Sequence, residues 1–257
     1  MFDFWTRGFR RRRIARRPTP GAWPGFLEEG IWFWKALSGA QRARLQSLTA
    51  IFLHEKEIFI PEGIPEPERA RVMVAAAACV LLQGFSDWYC FDRIQTVILT
   101  LDLFRQQIDH PHVGGLQSEV VASGVYRRGA PVTLCWPEVE RDCADNRRSH
   151  NVVIHEFAHH IDDLDGSLDG NPPFSSSHLT EDWRQIVTLE MRRLEEQTAQ
   201  GQRTVLDPYG LSSSTEFFAV ACEAYVCNPH ALSAAHARLF RLLQELFRFD
   251  PREWTPE

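Results

Sequence analysis

Residues 151–162 read Asn151-Val-Val-Ile-His155-Glu156-Phe-Ala-His159-His160-Ile-Asp162. His155 and His159 are four positions apart, so on a helix their imidazoles stack on one face and can share a metal ion. Glu156 follows the first histidine directly, where a carboxylate can take a proton from water that such an ion activates. A motif this short recurs by chance, so its flanks matter. Val152, Val153 and Ile154 precede it, Phe157 and Ala158 fill it, and Ile161 follows. That apolarity argues for a helix buried at the floor of a cleft and against one whose histidines face water.

A catalytic zinc site takes three protein ligands plus an open position. Two candidates compete for third place. One is Asp165, six residues after His159, but the turn it needs favours Gly where this chain has Asp162. The other lies in Thr215-Glu216-Phe-Phe-Ala-Val-Ala-Cys-Glu223-Ala-Tyr-Val226, apolar but for two carboxylates. Buried Glu is rare unless paired or metal-bound, which favours Glu216. A capping box from Ser213 to Glu216 would explain Glu216 without a metal, but not Glu223 one heptad further along the same face. Glu223 is therefore expected beside the metal ligands, supporting one of them. Asp162, three residues after His159, either accepts the outer N–H of a ligand histidine or closes the helix into the acidic loop of Asp163, Asp165 and Asp169. The spacing of that loop does not match a calcium-binding helix–loop–helix.

Working outward, the chain of 257 residues is 44% hydrophobic and 24% charged, which excludes disordered, collagenous and coiled-coil classes. The net charge of −6 hides an asymmetry: residues 1–17 carry seven Arg against Asp3, leaving −12 on the rest. An acidic body argues against direct nucleic-acid binding. The arginines, with Pro18, Pro20, Gly21 and Pro24, predict a flexible tail over 1–24, followed by one domain over 25–257. The Arg run lacks the apolar segment of a secretory signal. Val72 to Leu82, the longest apolar run, is too short to span a bilayer and reads as a buried helix. The six cysteines lack any Cys-x-x-Cys pairing and read as reduced core thiols.

Ser38 is a candidate cap for a helix burying Leu45, Leu48 and Phe52. Ile94–Leu101 and Pro131–Trp136 are strand candidates, the second able to pair with an extended peptide. Gly114, Gly115, Ser123 and Gly124 punctuate the stretch between them. Beyond Asn146 the pattern is helix and loop. The expected class is α+β.

The His155 motif, Tyr209 and the Glu216 helix together resemble the Mlc titration factor A family of zinc peptidases. Leu45–Leu48, Phe52–Lys56 and the Pro131–Trp136 strand carry the likeness over roughly residues 30–250. The resemblance implies a zincin-like metallopeptidase core of gluzincin type, related to the anthrax lethal factor catalytic domain. Its expected form is a small mixed sheet, an active-site helix and a mostly helical C-terminal part. It implies Zn2+ on His155, His159 and Glu216, Glu156 as base, and Tyr209 stabilising an oxyanion or donating a proton. It also implies a cytoplasmic, aminopeptidase-like enzyme acting on peptides and regulating sugar uptake by binding a transcriptional repressor of the Mlc type. The contrasting expectation is a non-catalytic protein that sequesters a transcription factor around a structural zinc. A third idea, that the Arg tail meets anionic lipid or nucleic acid, stands against a solvated tail, which sparse aromatic patterning favours.

Overall fold

The computed structural model describes residues 2–85, 88–110, 116–145 and 149–254, with backbone alone for 2–5, 106–110 and 116–120. Helices α1 (Phe2–Ala15), α2 (Trp23–Gly30) and α3 (Gly39–Glu55) lead into strand β1 (Glu57–Phe59) and helix α4 (Pro67–Cys79). Strands β2 (Thr96–Thr100), β3 (Phe104–His110), β4 (Leu116–Ala122), β5 (Gly124–Val125) and β6 (Val132–Cys135) follow. The remainder is helical: α5 (Trp136–Ala144), α6 (Val152–Asp162), α7 (Ser177–Ala199), α8 (Ser214–Cys227), α9 (Pro229–Ala235) and α10 (Ala237–Phe247). This is the expected α+β architecture with a helical C-terminal part.

Local chemistry accounts for the main elements. Ser38 and Gln41 form a reciprocal capping box at the start of α3. Pro67 opens α4, whose alanine-rich body is buried from Val72 to Cys79. The β-branched run of β2 alternates buried and half-buried positions, so one of its faces lies on the core and the other is only partly covered. The sheet is mixed and small, in the order β1-β2-β6-β5, with β1, β2 and β6 parallel and β5 antiparallel to β6. Strands β3 and β4 form a separate antiparallel ribbon that feeds directly into β5. Gly114 and Gly115 lie outside the described residues.

Two expectations need correction. Residues 1–24 do not behave as a flexible tail: α1 is seated on the body, with Ile14 buried and Arg11 only 4% exposed. Arg11 reaches Glu55 and Asp92, both at 2.5 Å, so carboxylates across the fold hold an arginine run that composition alone assigns to solvent. The Pro131–Trp136 strand is not available to a substrate either. It becomes β6, hydrogen-bonded to β2 on one side and β5 on the other, and β5 is the edge. One hydrophobic cluster runs from Ile14 through α4, α6 and α8 to Trp254. All eleven residues of α6 are buried, the apolar ones within this cluster.

Candidate active site

Helix α6 starts at Asn151, whose side-chain oxygen accepts from the Ile154 N–H at 3.1 Å. That cap fixes the helical phase, and His155 and His159 then face one cleft on consecutive turns. Helix α8 packs against α6 and is capped by Ser213, whose hydroxyl accepts from the Glu216 N–H at 3.1 Å. Only half of a capping box forms, because the Glu216 carboxylate turns to the histidines. Its Oε2 lies 2.9 Å from His155 Nε2 and 3.5 Å from His159 Nε2. Asp165, the competing third ligand, is exposed and accepts instead from Ser167 N–H at 2.8 Å.

His155, His159 and Glu216 thus present one ligand atom each, all within 4.8 Å of one another. Three donors about 2 Å from a common tetrahedral ion would be about 3.3 Å apart, so the observed spacing fits such an ion. Two imidazoles and a carboxylate are the donor set of an open catalytic zinc site. His159 Nδ1 is buried without a hydrogen-bond partner, whereas a ligand histidine ordinarily donates its outer N–H, so this ring lacks the support that His155 has.

Glu223 stands behind His155, its Oε2 3.1 Å from His155 Nδ1. Its Oε1 accepts from Asn151 N–H at 2.8 Å and lies 2.6 Å from His150 Nδ1. Burial opposes its charge, but His155 and His150 outweigh that and hold the carboxyl well below the usual range. Asp162 is not bonded to His159. Its Oδ2 accepts from Gly170 N–H at 2.8 Å, and its Oδ1 is buried without a partner. Burial raises its pKa to about 6. Gly170, at φ +79°, approaches the Ser214 carbonyl where any side chain would collide, which ties this loop to the start of α8.

Glu156 is buried beside the histidines, and burial raises its pKa against their attraction. The Tyr126 backbone adjoins it and slightly favours its charged form. The Tyr126 side chain is held in turn: its hydroxyl donates to Asp163 Oδ2 at 2.8 Å, and Arg128 binds the same carboxylate. Tyr209 is half exposed, its ring 6.0 Å from that of His155, in a short helical turn that Asp207 caps. Burial and the nearby Glu216 push its phenol up to about 12.

These groups line an open cleft of about 460 Å³ whose second wall is residues 121–126, including edge strand β5. The approach is closest at Gly124, where an added Cβ would sit 2.5 Å from Glu156 Oε1 and 2.6 Å from Val152 Cγ2. Three wall residues escape sequence reasoning. Gly124 reads only as punctuation, and no motif in the sequence singles out Tyr126 or His150. A histidine abutting the cap of a metal-motif helix is the one signal that could have been followed.

The sequence model of a family described as glucose-regulated metallo-peptidase M90 matches residues 5–248. An uncharacterized Synechocystis protein, slr2042, is 30% identical over 247 residues, covering 95% of this chain and 89% of its own length. The Mlc titration factor A of Escherichia coli is 23% identical over 250 residues, covering 86% of this chain and 92% of its own. That of Salmonella arizonae is 23% identical over 232 residues, covering 84% and 87%.

Proposed function

The chain belongs to the M90 family of glucose-regulated metallopeptidases, and from that premise we propose that it is a zinc-dependent, aminopeptidase-like peptidase. One observation carries the reading. The donor atoms of His155, His159 and Glu216 converge beside the buried Glu156 carboxylate in a single open cleft. In this reading those three residues hold the metal. When bound, zinc polarises a carbonyl and lowers the pKa of water toward about 7.

The chain's own residues do the rest. Glu156 takes the proton of the attacking water and carries it to the leaving amine. Its raised pKa suits a group that must both accept and release a proton. Tyr209, whose phenol stays protonated well above neutral pH, donates to the carbonyl oxygen as it gains charge. Glu223 positions His155, and the unpartnered Asp162 Oδ1 is the acceptor nearest in sequence for the outer N–H of His159. The substrate is an extended peptide added along β5, the sheet edge that faces the cleft. Asp207, a lining carboxylate outside the metal set, suits a free α-amino end.

The test is Glu156→Gln, assayed on a panel of short peptides beside metal analysis. The variant should keep its zinc and lose hydrolysis by about 100- to 10,000-fold. Full activity would overturn the assignment.

A second reading rests on the name that relatives carry, Mlc titration factor A: capture of an Mlc-type transcriptional repressor in the cytoplasm, and through it control of sugar uptake. Among the described residues no helix is long and apolar enough to cross a membrane. If Glu156→Gln abolishes hydrolysis but still retains such a repressor in a pull-down, the two activities are separable. If wild type hydrolyses nothing and still captures it, zinc is structural.

A further inference from the structure

Helix α1 has two faces of different character. Arg7, Arg11 and Ile14, at helical spacing, form the inward one: Arg7 pairs with Asp92 at 2.9 Å, Arg11 with Glu55 and Asp92, and Ile14 is buried. Phe9, Arg12 and Arg13 fall at i, i+3 and i+4 and share the outward face, and Arg16 follows in the turn just past the helix end. Arg12, Arg13 and Arg16 are exposed and have no ion-pair partner among the described residues, while Phe9 is 76% exposed. A bulky aromatic left in water among unpaired guanidinium groups serves nothing in the packing described above.

We propose that the outward face of α1 docks the protein on an anionic phospholipid surface, with Arg12, Arg13 and Arg16 meeting the headgroups and Phe9 entering the headgroup layer. Charge complementarity selects this occupant, since polybasic segments gather at anionic leaflets and aromatic rings settle at the interface. The shape of the patch also favours a membrane over a nucleic acid. The cations sit on one convex helix with no groove for a strand to follow. The seat on Glu55 and Asp92 holds the helix rigid, so the face is presented already folded.

Full-length protein is sedimented with vesicles of phosphatidylcholine alone, and with phosphatidylserine added, over a range of salt. Binding is expected only with phosphatidylserine, weakening as salt rises. Arg12→Gln/Arg13→Gln/Arg16→Gln should cut the partition roughly 100-fold, and Phe9→Ser should weaken it while leaving its salt dependence in place. These substitutions leave the inward face untouched. Absence of pelleting on phosphatidylserine at low salt overturns the proposal. So does equal pelleting on neutral vesicles, or a triple variant that pellets like wild type. Capture of duplex DNA without vesicle binding would assign the patch to nucleic acid instead.

Discussion

At Glu223 one carboxylate faces three nitrogens, those of Asn151 N, His150 Nδ1 and His155 Nδ1. It therefore caps the approach to α6 and fixes the outer edge of a metal-ligating ring together. Glu223→Gln keeps the shape but replaces one accepting oxygen with an amide that only donates, so either Asn151 or His155 loses its acceptor. Metal affinity should fall about 10- to 100-fold, read by competition with a chromophoric chelator. Unchanged affinity would reduce Glu223 to a cap. At this scale much of the site was legible. The four-residue step from His155 to His159 is helical geometry, and a carboxylate one heptad beyond Glu216 in an apolar helix asks for a partner. Tyr209 was legible only by resemblance, because nothing local marks a tyrosine in a loop. His150 and Tyr126 became site residues through tertiary approach, which no spacing encodes.

Between elements, the decisive contact is that of β5 with α6. The cleft exists because the edge strand runs close over the helix at Gly124, with Glu156 and Val152 filling the space a Cβ would need. Gly124→Ala should leave the helices formed, cost about 1–3 kcal/mol of stability through overpacking, and displace the Glu156 carboxylate. Activity is then expected to fall chiefly in kcat, with KM changed far less. A normal kcat would show that the strand can move away freely. Element identity was readable here and element role was not. The run from Val132 to Cys135 signals a strand but not that both of its sides are taken, and the edge beside the cleft is a two-residue strand that begins at Gly124, too short for any periodicity. Likewise Ser213 signalled a helix start, but which way the Glu216 carboxylate turned was decided by two histidines more than fifty residues earlier.

Over the whole molecule, the N-terminal arginines show how composition misleads when the partner is distant. Seven Arg in seventeen residues read as a solvated appendage, yet Arg7, Arg10 and Arg11 close onto Glu55 and Asp92 from the end of α3 and the approach to β2. Burial disfavours the Glu55 charge, but hydrogen bonds from Arg11 and Arg10 outweigh it and hold its carboxyl at about 2 against an ordinary 4.5. A carboxylate depressed on folding contributes stability that is complete above its unfolded pKa and fades as pH falls toward its folded one. Glu55 should therefore contribute on the order of 2–3 kcal/mol at neutral pH, declining below about pH 4.5 and nearly gone at about pH 2. The lowered Asp92 acts in the same direction. Glu55→Gln removes the charge and keeps the outline, so its Tm should lie below wild type at pH 7 and the gap should close as the solution is acidified. A gap that stays constant down to pH 3 would mean that Arg11 is held by shape and by Asp92, with little from the Glu55 charge. The helix that carries the exposed basic face would then be seated by packing around Ile14.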